Sequence, residues 1–166
     1  MTQIKDIVAY FCHHYPNPDD LSAARLTKMV YLADWKASIQ HRRQLTFIRW
    51  YFNEHGPYVP DVLEEAKRHP RLFRIEDTQN PFGHRKRIIR GIENLDLKLE
   101  QEDQAVLDHV IRTTKDLRWS DFIHLVYSTY PILASNRYSH LNLIEMAERY
   151  AEEREYIRES RERRAG

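Results

Sequence analysis

The chain has 166 residues, of which 42% are hydrophobic and 31% charged, and a mean hydropathy of -0.73. At this length one domain can bury roughly 70% of its extended-chain surface, enough for a self-sufficient core, and the apolar fraction excludes a disordered tail protein. Lys and Arg number 26 against 25 Asp and Glu, so no bulk field recruits nucleic acid or a membrane surface.

Ile4, Ile7, Val8 and Phe11 recur at helical spacing and predict an amphipathic helix over residues 2–14. Asn17-Pro18-Asp19-Asp20 ends it and carries the signals of a new helix start: an Asn cap, a Pro in the first turn and two acids at the positive helix end. From Leu21 to about Ile39, Leu26, Met29, Val30, Ala33 and Ala37 form a stripe that Tyr31, Leu32 and Trp35 widen, so this helix is expected at the centre of the fold. After a polar turn at His41–Gln44, Phe47, Ile48, Trp50, Tyr51 and Phe52 crowd together with strand preference until Gly56-Pro57 stops the run. Pro60 opens a further helix through about Arg68.

Residues 72–92 read as a hairpin, with Leu72–Ile75 and Lys86–Ile92 as arms around Asn80, Pro81 and Gly83. Leu107, Val110, Ile111 and Leu117 mark a helix over about 101–117, and Ser120 is placed to cap the next, which ends before Pro131. Leu143, Ile144, Ala147 and Ala151 mark the last helix, whose end carries Glu155–Arg158 and Glu159–Arg163 at ion-pair spacing. The expected fold is α+β, mostly α: a compact helical domain around a central apolar helix, with a small antiparallel sheet or hairpin.

Several chemistries lack their residues. No apolar stretch approaches the ~18 residues of a membrane span, and Met1–Tyr10 contains Asp6 and no signal-like apolar core. Cys12 is the single cysteine, which precludes an internal disulfide or a thiolate zinc site and makes a cytoplasmic location the expectation. Gly56, Gly83, Gly91 and Gly166 are all the glycines, too scattered for a phosphate-cradling loop, and no serine lies in a nucleophile elbow. The nine histidines include the adjacent His13 and His14, which radiate around a helix instead of converging, so no metal is expected. Asp19/Asp20, Glu64/Glu65 and Glu152/Glu153 read as solvated pairs.

Two local anomalies remain. His84, Arg85, Lys86, Arg87 and Arg90 gather cations on one hairpin arm beside Phe82; such a ribbon can contact phosphates or simply guard an exposed edge. Trp50, Tyr51, Phe52 and Tyr58 surround His55-Gly56-Pro57, and aromatics at a turn serve either as recognition anchors or as core. The charged end of the last helix reads as a solvated face or a partner-contacting arm.

Lys28-Met29-Val30-Tyr31-Leu32-Ala33-Asp34-Trp35 resembles the Lys-x-x-Tyr-[Leu/Phe]-Ala core helix of the Panacea-domain antitoxin family of bacteria and phages. The resemblance continues in Trp50–Val62, where an aromatic strand leads through Gly56-Pro57-Tyr58-Val59 into a helix, and in Leu125–Ile132, where Pro131-Ile132 stands for the Pro-Trp of many members. It covers roughly residues 4–150. It implies a non-enzymatic antitoxin, without cofactor, that neutralises a cognate protein toxin by direct binding. The toxins paired with this domain are diverse; one branch delivers its toxin to an ATP-dependent protease, and others occur in prophages.

On this reading residues 1–151 form the domain and 152–166 a charged helical extension. Trp50, Tyr51, His55, Gly56, Pro57 and Tyr58 are the expected partner-binding residues. Arg85, Lys86, Arg87 and Arg90 are the contacts of the alternative, a nucleic-acid-binding regulator. A histidine-dependent enzyme ranks behind both.

Overall fold

A computed structural model describes residues 1–92 and 97–166, and the fold is α+β and mostly α, as the patterning predicts. Helix α1 (Ile4–His14) turns Ile7, Val8 and Phe11 inward. Asn17 does not cap the next helix. Pro18–Asp20 form a separate 3₁₀ turn, and Ser22, held extended by a bridge to Ile88, is the cap that accepts from the Arg25 amide at 3.1 Å. Helix α2 (Ala23–His41) then buries 14 of its 19 residues.

The segment after α2 departs most from expectation. Of the crowded run only Tyr51–Asn53 forms a strand, β1, and Phe47 is 81% exposed. The cause is Asp34, fully buried on α2. Its Oδ1 accepts the Leu45 and Thr46 amides at 2.8 and 3.1 Å, and its Oδ2 accepts the Thr46 hydroxyl at 2.6 Å and the Trp50 indole N–H at 2.8 Å. Gln44 adds a bond to the Ile48 carbonyl at 2.9 Å. Backbone groups at 44–48 thus pair with side chains, which leaves no ladder to form there.

Strand β1 pairs on one side with β2 (Gly56–Pro57) and, much later in the chain, with β5 (Ser139–His140) on the other. Helix α3 (Asp61–Arg68) follows β2. The hairpin β3 (Phe73–Gln79) and β4 (Arg85–Gly91) is longer than its apolar arms suggest. Its ladder runs to Gln79↔Arg85, and there Asp77 lies opposite Arg87, an opposite-charge cross-strand pair. Leu21 accepts the Ile89 amide at 3.0 Å, fastening the hairpin to the start of α2.

Helices α4 (Gln101–Thr114), α5 (Trp119–Tyr127) and the single turn α6 (Tyr130–Leu133) complete the middle of the chain. Arg118, not Ser120, takes the cap position of α5, which ends at Tyr127, before Pro131 as expected, and Pro131 lies in the first turn of α6. Asn142 caps α7 (Leu143–Ala165), which is continuous through residue 152. Its buried residues are Leu143 and Ala147, and its exposed end carries the Glu155–Arg158 and Glu159–Arg163 pairs. α1, α3, α4, α7 and β4 all pack on α2, whose Trp35 stacks with Tyr130 at 6.4 Å between ring centres.

Burial pushes the Asp34 carboxyl up to about 6 although four donors to it pull the other way. Asp34→Asn keeps one acceptor oxygen and turns an amide N–H₂ toward two of those donors. The expected cost is about 3 kcal/mol, given that each unsatisfied buried donor costs about 1–3 kcal/mol. Urea unfolding at neutral pH checks it: the midpoint should fall with the slope unchanged.

Candidate functional site

The aromatic turn divides between core and surface. Trp50 is fully buried, packed edge-on against Tyr31 with ring centres 5.5 Å apart. It cannot touch a partner. It braces the turn from behind, because its indole N–H is taken by Asp34. Gly56 and Pro57 are buried as well. Gly56 has φ +103°, and a Cβ there would stand 3.3 Å from the Tyr127 ring, so the residue meets both a backbone and a space requirement. Tyr51 is half-buried against His140. His55 is exposed and Tyr58 half-buried.

His55 and Tyr58 line a pocket of about 520 Å³ together with Lys28, Trp119, Ile123 and Tyr127. A larger groove of about 1190 Å³ shares Ala24, Tyr58 and Trp119 with it and extends along Arg85, Lys86 and Arg87 of β4. The two patches that stand apart in the sequence therefore border one continuous depression. Trp119, at the start of α5, is 49% exposed where they meet. A tryptophan left half in solvent beside a groove is a typical recognition anchor.

The hairpin cations are mostly occupied. Arg90 pairs with Glu76 at 2.7 Å and Asp19 at 2.8 Å, and Arg85 and Arg87 both lie 3.5 Å from Asp77. Among the described residues, Lys86 has no acidic partner. Asp20 and Asp116 also line the groove, so a phosphate backbone would meet carboxylates as well as cations. This arrangement gives the nucleic-acid contacts little support.

Two buried cations on α2 contrast sharply. Arg25, 3% exposed, donates to the Tyr15 hydroxyl at 2.8 Å and to the Thr114 and Leu117 carbonyls at 2.8 and 3.0 Å. It also lies 4.4 Å from the Phe122 ring centre. Its charge meets the carbonyl end of α4 and an aromatic face. Lys28, one turn on and also 3% exposed, has no hydrogen-bond acceptor or carboxylate within bonding distance among the described residues. Its amine stands 5.9 Å from the Tyr58 ring centre at the pocket wall. Burial pulls its pKa down to about 8, which leaves the group mostly charged at neutral pH. Sequence reading missed Lys28 and Trp119 as site residues. The signal for Lys28 is a lysine enclosed by Leu26, Thr27, Met29 and Val30 on a helix that is apolar nearly all round.

The model of the family described as antitoxin SocA-like, Panacea domain, matches residues 26–131. The chain belongs to that family. No curated protein and no solved structure matches it. In this Panacea domain the matched segment runs from α2 to α6 and contains Lys28, the turn at 50–58, the hairpin and Trp119. Among the described residues, no helix is long and apolar enough to cross a membrane, and no group of three or more His, Cys, Asp or Glu is placed to hold a metal.

Two measurements check this geometry. Lys28 has a folded-state pKa near 8 against an unfolded value of 10.5, so between those values the unfolded chain binds more protons. Stability should therefore rise with pH across that window. Lys28→Met should abolish this rise and raise stability at pH 7 by roughly 2 kcal/mol, as thermal melts across pH would register. Gly56→Ala should cost about 2 kcal/mol through its left-handed backbone and the Tyr127 contact.

Proposed function

We propose that this Panacea-domain protein is an antitoxin that neutralises a cognate protein toxin by direct, non-enzymatic binding, with the toxin seated in the groove bounded by α2, the turn at 53–58, β4 and α5. Membership of the SocA-like family supports the antitoxin role. The single observation that favours this groove is that Tyr58, the half-exposed Trp119 and the unpartnered Lys28 converge on one pocket. Large rigid aromatics bordering a partly desolvated charge are the features that concentrate binding energy in protein interfaces. His55 sits at the mouth, while Trp50, Gly56 and Pro57 act as the support that presents Tyr58.

Co-expression with the product of the adjacent gene tests this. Growth should be restored and the two proteins should co-purify. Trp119→Ala should weaken the complex about 30-fold, the equivalent of about 2 kcal/mol for an anchor aromatic. Rescue that persists in a host lacking its ATP-dependent proteases assigns neutralisation to binding; rescue lost there, with the complex intact, assigns it to delivery for degradation. Toxicity unrelieved and no complex would overturn the proposal.

A further inference from the structure

Lys28 is 3% exposed as a residue, and its amine, which keeps contact with solvent at the pocket wall, has no protein acceptor among the described residues, so it is only partly hydrated. Arg25 is spent on architecture instead: one guanidinium nitrogen donates to three oxygens and the group lies over the Phe122 ring, although its Nε is buried without a partner among the described residues. Lys28 has only the Tyr58 ring at the long end of cation–π range. The acid nearest in the pocket lining, Glu54, is itself exposed and forms no salt bridge with it within 4.0 Å. The other walls are Ala24, Asn53, His55, Tyr58, Trp119, Ile123 and Tyr127, so one side of the pocket is aromatic and apolar and the other polar. A site that sets one unpaired, partly dehydrated cation beside aromatic and apolar surface is complementary to one anion flanked by an apolar or aromatic group.

We propose that this pocket is the seat of a single partner carboxylate: an Asp or Glu side chain, presented by an acidic segment of the bound protein, pairs with Lys28 Nζ while a neighbouring apolar side chain of that segment lies on Trp119. The proposal rests on the reading of the groove as the partner-binding face and specifies its chemistry. A protein carboxylate fits better than a nucleic acid. Asp20, Glu54 and Asp116 line the pocket and groove, and the hairpin arginines are held by Glu76, Asp77 and Asp19. A phosphate chain would set several negative charges against those carboxylates, whereas a single partner carboxylate sets only one.

Panning the purified protein and its Lys28→Met variant against phage-displayed random short peptides tests the seat without knowledge of the toxin. The wild-type protein should enrich peptides carrying Asp or Glu beside an apolar or aromatic residue, and Lys28→Met should not. In titrations, replacing the peptide's Glu by Gln or Asp by Asn should weaken binding to wild type about 30-fold and leave binding to Lys28→Met unchanged. A measurement on wild type alone guards against a misfolded variant. Because the seat needs the protonated amine, affinity for the acidic peptide should fall roughly fivefold between pH 8 and pH 9. The uncharged peptide subtracts contributions from Glu54, His55, Tyr58 and Tyr127, which share the pocket.

Enriched peptides without acids, a Glu→Gln loss that persists in Lys28→Met, or Lys28-dependent binding of a labelled single-stranded oligonucleotide would each overturn the proposal. Acidic-peptide selection in a protein that fails to neutralise its neighbour's product would leave the seat standing and sink only the antitoxin reading. A toxin bound equally by wild type and Lys28→Met would do the reverse.

Discussion

The Asp34 carboxylate organises the part of the molecule that faces outward. It is buried on the central helix, yet its acceptors are directed at a segment that follows the helix, the loop at 45–50. Burying an ionised carboxylate is unfavourable unless its lone pairs are filled; here two amides, a hydroxyl and an indole N–H fill them. Capture of the indole fixes Trp50, and the chain enters β1 in one register. Trp50 and Phe52 carbonyls then accept the Leu141 and Tyr138 amides at 2.9 and 2.6 Å, bringing β5 and the approach to α7 alongside. The turn that presents Tyr58 and His55 is consequently placed by a bond made on the opposite side of the same chain segment.

Helix α2 serves two masters along its length. Its Asp34 and Arg25 are polar groups spent on architecture, and they link the helix to the following loop and to α4 respectively, although Arg25 Nε is left buried without a partner among the described residues. Lys28 lies between them and is not used in that way. It weakens the folded state, and a domain that tolerates such a residue at its centre must recover the loss from the surrounding core. Ile7, Phe11, Leu26, Met29, Val30 and Phe122, all fully or almost fully excluded from solvent, supply that recovery through apolar burial. Destabilising groups retained in this way concentrate where a ligand or partner is met.

The helices were legible because their apolar residues repeat at a period set by the backbone alone. α1, α2, α3, α4 and α7 appear within a few residues of where that period places them. What the period could not convey was a bond between residues distant in register. The run from Phe47 to Phe52 has strand composition, but a carboxylate on another element claimed its backbone groups, and composition carries no trace of that. Ser120 has a capping side chain in a capping neighbourhood; the chain nevertheless enters α5 two residues earlier than such a cap requires. The hairpin cations looked like a phosphate-binding cluster when counted along β4. Within the hairpin Arg90 pairs with Glu76, and Arg85 and Arg87 with Asp77, polar residues that made the partner strand hard to see. Trp119 was passed over since a lone tryptophan at a helix start looks like core until its exposure is known.

Near-zero net charge and an unpaired lysine at a pocket wall describe one strategy for recognition. A strongly charged face attracts anything of opposite sign and loses that attraction in salt. An unpaired charge at a pocket wall would work by rejection instead: on the proposed reading, a partner that covered Lys28 without a matching carboxylate would leave it dehydrated and unpaired, a penalty the complex must absorb. The requirement it sets is small, one acid beside an apolar residue, with Trp119 and Tyr58 presenting flat surfaces that place few demands on shape. Dissimilar proteins can satisfy so brief a condition. That is the property a domain paired with diverse toxins, as the family resemblance implies, would need, and on the proposed reading one ion pair at Lys28 would supply it without a matched surface for each partner.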